Sequence, residues 1–289
     1  MTTVPTPLRL ALPKGRMKDN ILDLFAAAGV SVRLGARTYR PTISLEAVDV
    51  KMLKPRNAVE MLDAGSRDLG FAGADLVAER GAELVEVLDT GLDPVRVVAA
   101  APTALLQGSA LPRRPLLIAT EYETLARRWV RARGCDDRLV RAYGATEVFP
   151  PDDADMIIDN TATGATLAAN GLEIVDTLMT STTRLYASRA AWADPAVRQR
   201  VEDLSLILSS VLEARRRVMV EINVSPGDLE ALVDILPCLR QPTVASLHEA
   251  SGFAVKAAVP RGALPTLLPL IRSRGGTDIV VSRIDQLVP

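Results

Sequence analysis

The chain has 289 residues, a formal net charge of −1 and 3% aromatic residues. That length predicts two or three domains of ordinary size. The balanced charge and the scarcity of aromatic side chains exclude both a basic polyanion surface and a stacking platform for single-stranded nucleic acid.

In chain order, residues 8–13 are apolar and alternating, which predicts a strand. Lys14-Gly15-Arg16 stands at its C-terminal end. Residues 19–29 predict a helix with Ile21, Leu22, Leu24 and Phe25 on one face and Gly29 as its stop. Residues 48–53 predict a strand ending in Lys54-Pro55-Arg56-Asn57, and 58–64 a helix closed by Gly65. Residues 68–75 predict a short strand ending in a Gly-rich turn and Asp75. Strands follow at 84–89 and 95–101. Such alternation of strand, short loop and helix predicts an α/β domain with a mostly parallel sheet.

A second α/β unit begins with a strand at 116–120. A helix at 124–133 turns Leu125, Trp129 and Val130 inward, and a strand at 139–143 and a turn or short helix at 146–149 follow. Met156, Ile157 and Ile158 predict a buried strand that runs into Asp159-Asn160-Thr161-Ala162-Thr163-Gly164-Ala165-Thr166 and then a helix. Strands at 174–178 and 183–188 lead to one amphipathic helix over 197–217, with Val201, Leu204, Ile207, Leu208, Val211 and Leu212 at helical spacing. A boundary falls near Arg215. Beyond it come a strand at 218–224, a helix at 226–236, strands at 244–247 and 253–259, a helix at 263–274 and a strand at 278–282. That βαββαβ order is the ferredoxin-like unit.

Ligands of open α/β sheets sit beyond the carboxyl ends of the strands. Four features fall there: Lys14-Gly15-Arg16, Lys54-Pro55-Arg56, Gly73-Ala74-Asp75 and the 159–166 loop. In that loop, backbone N–H groups, Thr hydroxyls and a helix start predict a phosphate cradle. Asp159 beside it suits a vicinal diol, so a ribose 5-phosphate fits both. Each feature also has a plainer reading: a strand-to-helix turn, solvated cations, or, for Asp75, a cap on the helix starting near Leu76. Arg215-Arg216-Arg217 reads as a solvated helix end, and Glu121 and Tyr122 as weaker candidates. No P-loop and no dinucleotide fingerprint occurs. Cys135 and Cys238 lack metal-ligand spacing and fit a reducing, cytoplasmic setting. His248, the one histidine, has no nucleophile motif beside it. No stretch has the length of a membrane span, and residues 1–7 with the short apolar run after them lack a secretory core.

The stretch 157–167 resembles the phosphoribosyl-pyrophosphate (PRPP) loop of the ATP phosphoribosyltransferase family, which opens histidine biosynthesis. Leu12-Pro13-Lys14-Gly15-Arg16-Met17, Lys54 to Val59 and Asp68 to Asp75 resemble its other core motifs. Gln241 to Leu247 and Val259-Pro260-Arg261 resemble the regulatory domain of its long form. The resemblance runs through the whole chain in order. It implies a two-lobed, periplasmic-binding-protein-like catalytic core with a C-terminal ferredoxin-like (ACT-like) regulatory domain. Lobe I would hold 1–95 with 186–214, lobe II 96–185, and the regulatory domain 215–289.

The implied reaction joins N1 of ATP to C1 of the PRPP ribose and releases pyrophosphate. It is Mg²⁺-dependent, in a cytoplasmic homohexamer inhibited by histidine, with no nucleic-acid or membrane partner. Asp159 would be the catalytic residue and would hold PRPP with Thr161, Ala162, Thr163, Gly164, Ala165 and Thr166. Lys14, Gly15, Arg16, Lys54 and Asp75 would meet ATP or pyrophosphate. Mg²⁺ would travel with the polyphosphate. Asn223, Leu239 and Thr243 would form the histidine site.

Two positions depart from the family. Lys54 stands where many relatives have Arg, which keeps the charge and loses the bidentate fork. Asn223 stands where some have an acid, which weakens the hold on an α-ammonium and predicts retained but weaker inhibition. Two other readings remain open: a non-catalytic anion binder of the same fold, and phosphoribosyl transfer to a different base.

Overall fold

A computed structural model describes residues 7–35 and 39–289. The start of the N-terminal segment considered above, residues 1–6, lies outside it. The chain divides into two compact units, 1–23 with 31–202, and 24–30 with 203–289.

The first unit is built on β1 (Leu8–Pro13), α1 (Lys18–Ala27), β2 (Val32–Arg33), β3 (Thr42–Ile43), β4 (Val48–Leu53), α2 (Pro55–Asp63), β5 (Leu69–Gly73), α3 (Ala74–Arg80) and β6 (Val85–Pro102). It continues with β7 (Leu117–Thr120), α4 (Glu123–Arg133), β8 (Arg138–Arg141), β9 (Met156–Thr161), α5 (Ala165–Ala169), β10 (Leu172–Ala187), α6 (Arg189–Ala193) and the start of α7 (Pro195–Arg216). One eight-stranded sheet has the order β4-β1-β5-β10-β6-β9-β7-β8.

That sheet is mixed, where the alternation predicted a mostly parallel one. β4, β1 and β5 run parallel, as do β9, β7 and β8. Between these triplets, β6 and β10 form a long antiparallel ribbon. The sequence predicted two short strands in place of each. Thr90, Gly91, Asp93 and Pro94 are turn-forming residue types, but the chain runs on through a bulge. Gly91 and Asp93 take positive φ of 66° and 49°, and the β6–β10 register slips between Ser181 and Arg184. Side chains satisfy the backbone there: Thr90 Oγ1 donates to the Thr183 carbonyl at 2.5 Å, and Asp89 Oδ1 accepts from Gly91 N–H at 2.9 Å.

The ribbon aims the two triplets at each other. Gly73, the end of β5, lies opposite Thr183 on β10. Thr161, the end of β9, lies opposite Arg96 on β6, and Arg96 faces Thr180. The carboxyl ends of both triplets therefore converge on the middle of the ribbon, and the unit has two lobes with those strand ends facing. Both faces of the second triplet are covered. Val97, Ala99, Ala101, Ile118, Met156 and Ile158 pack on one side, and Val98, Ala100, Ala119, Ile157 and Leu167 on the other. Burial on both faces is why these strands read as continuous apolar runs.

The second unit carries the rest of α7, then β11 (Arg217–Val224), α8 (Leu229–Val233), β12 (Thr243–Ser246), β13 (Phe253–Pro260), α9 (Leu264–Ser273) and β14 (Thr277–Arg283). Its sheet order β12-β13-β11-β14 with antiparallel neighbours is the predicted ferredoxin-like topology. Alternate residues Val218, Val220, Ile222 and Val224 are buried with Val255, Ala257, Val259, Leu232, Leu267 and Ile271. α8 is shorter than predicted, because a turn closed by Ser225 Oγ donating to Asp228 Oδ2 at 2.8 Å occupies its expected first turn. No helix among the described residues is long and apolar enough to cross a membrane.

Candidate active site

β9 is buried from Met156 to Ile158 and emerges at Asp159. The loop that follows is held by its own hydroxyls. Gly164 N–H donates to Thr161 Oγ1 at 2.9 Å, and Ala165 N–H donates to Thr163 Oγ1 at 3.3 Å. Gly164 takes φ +84°, a left-handed conformation that lets the chain turn from strand into α5. Thr161 is buried, whereas Ala162, Thr163, Ala165 and Thr166 are exposed and Gly164 is half-buried. An exposed loop of hydroxyl and amide groups, fixed before any ligand arrives, suits an oxyanion such as phosphate.

The half-buried Asp159 carboxylate accepts from Thr146 Oγ1 and, at 2.6 Å, from Asn160 N–H. Burial pushes its carboxyl above the usual carboxylate range. The Thr146 and Asn160 donors oppose that shift, and the charges of Glu121 and Glu147 add to it.

At the facing edge, β1 and β4 end side by side, with Pro13 opposite Leu53 and Lys14 N–H donating to the Leu53 carbonyl at 2.8 Å. Lys14 and Lys54 therefore leave adjacent strands at one edge. Gly15 takes φ +75° at the turn into a short 3-10 helix bearing Arg16. Lys14 Nζ lies 3.1 Å from the centroid of the Tyr39 ring, a cation–π contact. Arg16 and Lys54 are exposed and have no ion-pair partner among the described residues. Arg56 is committed elsewhere: its guanidinium pairs with Glu121 Oε2 at 2.7 Å and lies 5.6 Å from the Tyr122 ring centroid.

Asp75 is turned inward and is 4% exposed. It does not cap α3. One carboxylate oxygen accepts from Tyr122 O–H and the other from Ser181 O–H, each at 2.6 Å, while Asp75 N–H donates to Ser181 Oγ at 3.0 Å. Tyr122 O–H in turn accepts from Asn160 Nδ2 at 2.8 Å. Burial first, and Asp75 second, hold the Tyr122 phenol far above its usual value, so it remains a neutral donor.

Sequence reasoning missed Thr146 and Ser181, and gave Asn160 no role although it lies in the loop. Thr146 and Ser181 carry no local signal; Ser181 is 106 residues from Asp75. A polar residue directly after the strand carboxylate was the one available hint at Asn160.

Among the described residues there is no group of three or more His, Cys, Asp or Glu side chains placed to hold a metal. A cavity of about 800 Å³ lined by Trp129, Arg133, Cys135 and Asp176 contains none of the predicted residues. A smaller one, about 260 Å³, lies between the lobes beside Arg56, Glu79 and Glu121.

In the second unit, Asn223 Nδ2 donates to Asp278 Oδ2 at 3.1 Å. Asn223 faces Ala254, Ala254 faces Ala245, and Thr243 lies two residues from Ala245 on the same edge strand. Asn223 and Thr243 thus share the face opposite the buried row but lie two strands apart. Leu239 is half-buried in the loop before β12.

Two facing α/β lobes joined by a crossing ribbon, followed in sequence by a ferredoxin-like domain, define a two-lobed, periplasmic-binding-protein-like core with a C-terminal ACT-like domain. The family model of ATP phosphoribosyltransferase matches residues 54–210, and that of the HisG C-terminal domain matches 214–286. An ATP phosphoribosyltransferase of Pelodictyon phaeoclathratiforme is 32% identical over the whole of both chains. One from Chlorobium chlorochromatii is 33% identical over 97% of each. Among solved structures, the ATP phosphoribosyl transferase (HisG:HisZ) complex of Thermotoga maritima is similar, with a TM-score of 0.63 and 26% identity over 71% of this chain and 98% of that one. The chain belongs to the ATP phosphoribosyltransferase family, in its long form. It is therefore a pentosyl-transferring glycosyltransferase of histidine biosynthesis.

Proposed function

We propose that the chain transfers the phosphoribosyl group of PRPP to N1 of ATP. The adenine N1 lone pair forms a bond to the ribose C1, the C1–O bond breaks, and pyrophosphate leaves with the electron pair. The observation that carries this reading is the convergence of the 159–166 loop with the cationic ends of β1 and β4 on the middle of one ribbon.

In this reading Thr161, Ala162, Thr163, Gly164, Ala165 and Thr166 receive the 5-phosphate. Asp159 accepts hydrogen bonds from the ribose hydroxyls and faces the positive charge that develops at C1. A ring nitrogen needs no strong base, so positioning and electrostatics supply the acceleration. Lys14, Gly15, Arg16 and Lys54 meet the phosphates of ATP and the departing pyrophosphate, and Asp75 supports the nucleotide end from behind Tyr122. The donor set fits Mg²⁺ that arrives on the polyphosphate and keeps most of its water. When bound, it neutralises charge on the leaving group. Residues 1–95 with 186–214 and residues 96–185 act as the two lobes of the cleft, and 215–289 as the regulatory domain. The working form is a cytoplasmic homohexamer.

Histidine inhibits through Asn223, Leu239 and Thr243. Asn223→Asp is expected to tighten inhibition about tenfold, the scale of adding one charge-assisted bond to an ammonium; inhibition curves of both proteins check it. The reaction itself is tested by following absorbance with ATP, PRPP and Mg²⁺. Product formation with stoichiometric pyrophosphate supports the reading. Binding of PRPP without product would favour a sensor, and product with another base but not ATP would move the acceptor.

A further inference from the structure

Asp75, Tyr122 and Asn160 form a hydrogen-bonded chain whose polarity chemistry fixes. Tyr122 O–H donates to Asp75 Oδ2 at 2.6 Å. The phenol oxygen then offers its lone pair to Asn160, so the amide must present Nδ2 and not Oδ1. Asp75 is buried and has no cationic partner among the described residues, which makes the Tyr122 and Ser181 donors its main stabilisation. Tyr122 is 1% exposed and is pinned from behind: its N–H donates to Thr120 Oγ1 at 2.8 Å, and Thr120 O–H donates to the Ile158 carbonyl at 2.6 Å. Asp75 follows β5 in one lobe, whereas Tyr122 and Asn160 belong to the other, so the chain crosses the cleft between lobes.

From this geometry we infer that Tyr122 and Asn160 are positioning residues for Asp159: Asp75 of the first lobe orients the Tyr122 phenol, Tyr122 fixes the Asn160 side chain, and Asn160 holds the Asp159 carboxylate through its backbone N–H at 2.6 Å and its Nδ2 at 3.4 Å. The Tyr122 phenol has this orientation only while the lobes are close enough for it to reach Asp75. Two further contacts between the lobes hold the same closure: Arg56 with Glu121, and Glu79 capping α4 through Thr124 and Leu125 N–H at 2.9 and 3.0 Å. This inference rests on the proposed transfer reaction and on the role given there to Asp159.

The test compares Tyr122→Phe and Asn160→Leu with the full-length wild type. Asn160 is exposed, so its variant is expected to fold even if the Tyr122 variant does not. Both are expected to lose about tenfold in kcat or more, with KM for PRPP changed by less than about twofold, since the phosphate loop is untouched. Losing the Asn160 amide, or its Tyr122 anchor, loosens the Asn160 contacts that favour the ionised carboxylate. Among the described residues, the groups that act on the Asp159 charge are Glu121, Glu147 and Tyr122, and the Glu residues remain in both variants. The acid limb of the kcat profile is therefore expected to move to higher pH. A variant that merely loses stability would leave that limb in place.

The same shift is readable without turnover, from the Asp159 carboxyl-carbon resonance, identified by its loss in Asp159→Asn. An upward-shifted titration in either variant supports the positioning role even if the transferred group were different. Failure of wild type to make product, with that shift present, overturns the reaction and keeps the positioning. Unchanged kcat, a loss confined to KM, or an unmoved titration overturns the positioning.

Discussion

The two strand-end clusters of the core are built in opposite ways. At the end of β9, the groups that set the geometry have protein partners. The loop amides of Gly164 and Ala165 are met by Thr161 and Thr163, and Asp159 is met by Thr146 and Asn160. At the ends of β1 and β4, Arg16 and Lys54 stand in solvent without an ion-pair partner among the described residues, and Lys14 lies over an aromatic ring. One cluster is preorganised and the other is bare charge. The difference suits the two jobs proposed for them. A reacting ribose needs fixed geometry, because small displacements there lose rate. A triphosphate or a departing pyrophosphate needs charge that adapts and releases, which flexible lysines supply.

Substitutions separate the two designs. Thr163→Val removes the hydroxyl that accepts from Ala165 N–H and keeps the shape. A lost bond to a charged phosphate contributes roughly 1.5–3 kcal/mol, so KM for PRPP is expected to rise about 10- to 100-fold, measured by initial rates. Lys54→Ala is expected to cost about tenfold in kcat/KM for ATP. That loss should shrink at high salt, because Lys54 is exposed and its field is screened. A salt-independent loss would place Lys54 in the preorganised class. Gly164→Ala meets Ile174 Cδ1 at 3.5 Å, an ordinary contact, so only its φ of +84° is strained. That predicts a loss of about 1 kcal/mol in loop stability and a change of a few-fold in PRPP affinity.

The smallest effect has the opposite sign. Because burial raises the Asp159 carboxyl above its unfolded value, its contribution to stability is fully present below the unfolded value, near pH 4, and is lost as pH rises through the folded one. Asp159→Asn is thus expected to raise the melting temperature at pH 7. The gain should vanish below about pH 4. A melting temperature that falls at pH 7 would mean that the hydrogen bonds to the carboxylate outweigh its burial.

Much of this architecture was legible in the sequence. The apolar runs at 8–12 and 156–158 and the βαββαβ order after 215 were read from periodicity, and the structure places strands there. So was the position of each charged motif at a strand end. The crossing ribbon was not legible, since Thr90-Gly91 and Asp93-Pro94 are strong turn signals. Only cross-strand partners such as Thr183, which accepts from Thr90 and donates from its own Oγ1 to Asp93 Oδ2 at 2.8 Å, show why the strand continues. Asp75 is the same lesson at the site. Its local context fits a helix cap or a ligand contact, and its actual partners, Tyr122 and Ser181, come from 47 and 106 residues away. Local chemistry told which residues matter; long-range pairing told which way they face.

The most direct test of the account is the turnover of Asp159→Asn beside wild type, with ATP, PRPP and Mg²⁺ at saturation. Wild type is expected to form phosphoribosyl-ATP with one pyrophosphate per product. The variant is expected to fold, bind PRPP within a few-fold of wild type, and lose at least about 100-fold in kcat, the scale of removing one preorganised electrostatic group. A folded Asp159→Asn with near-wild-type kcat would contradict the assignment of the β9 carboxylate to the reacting ribose.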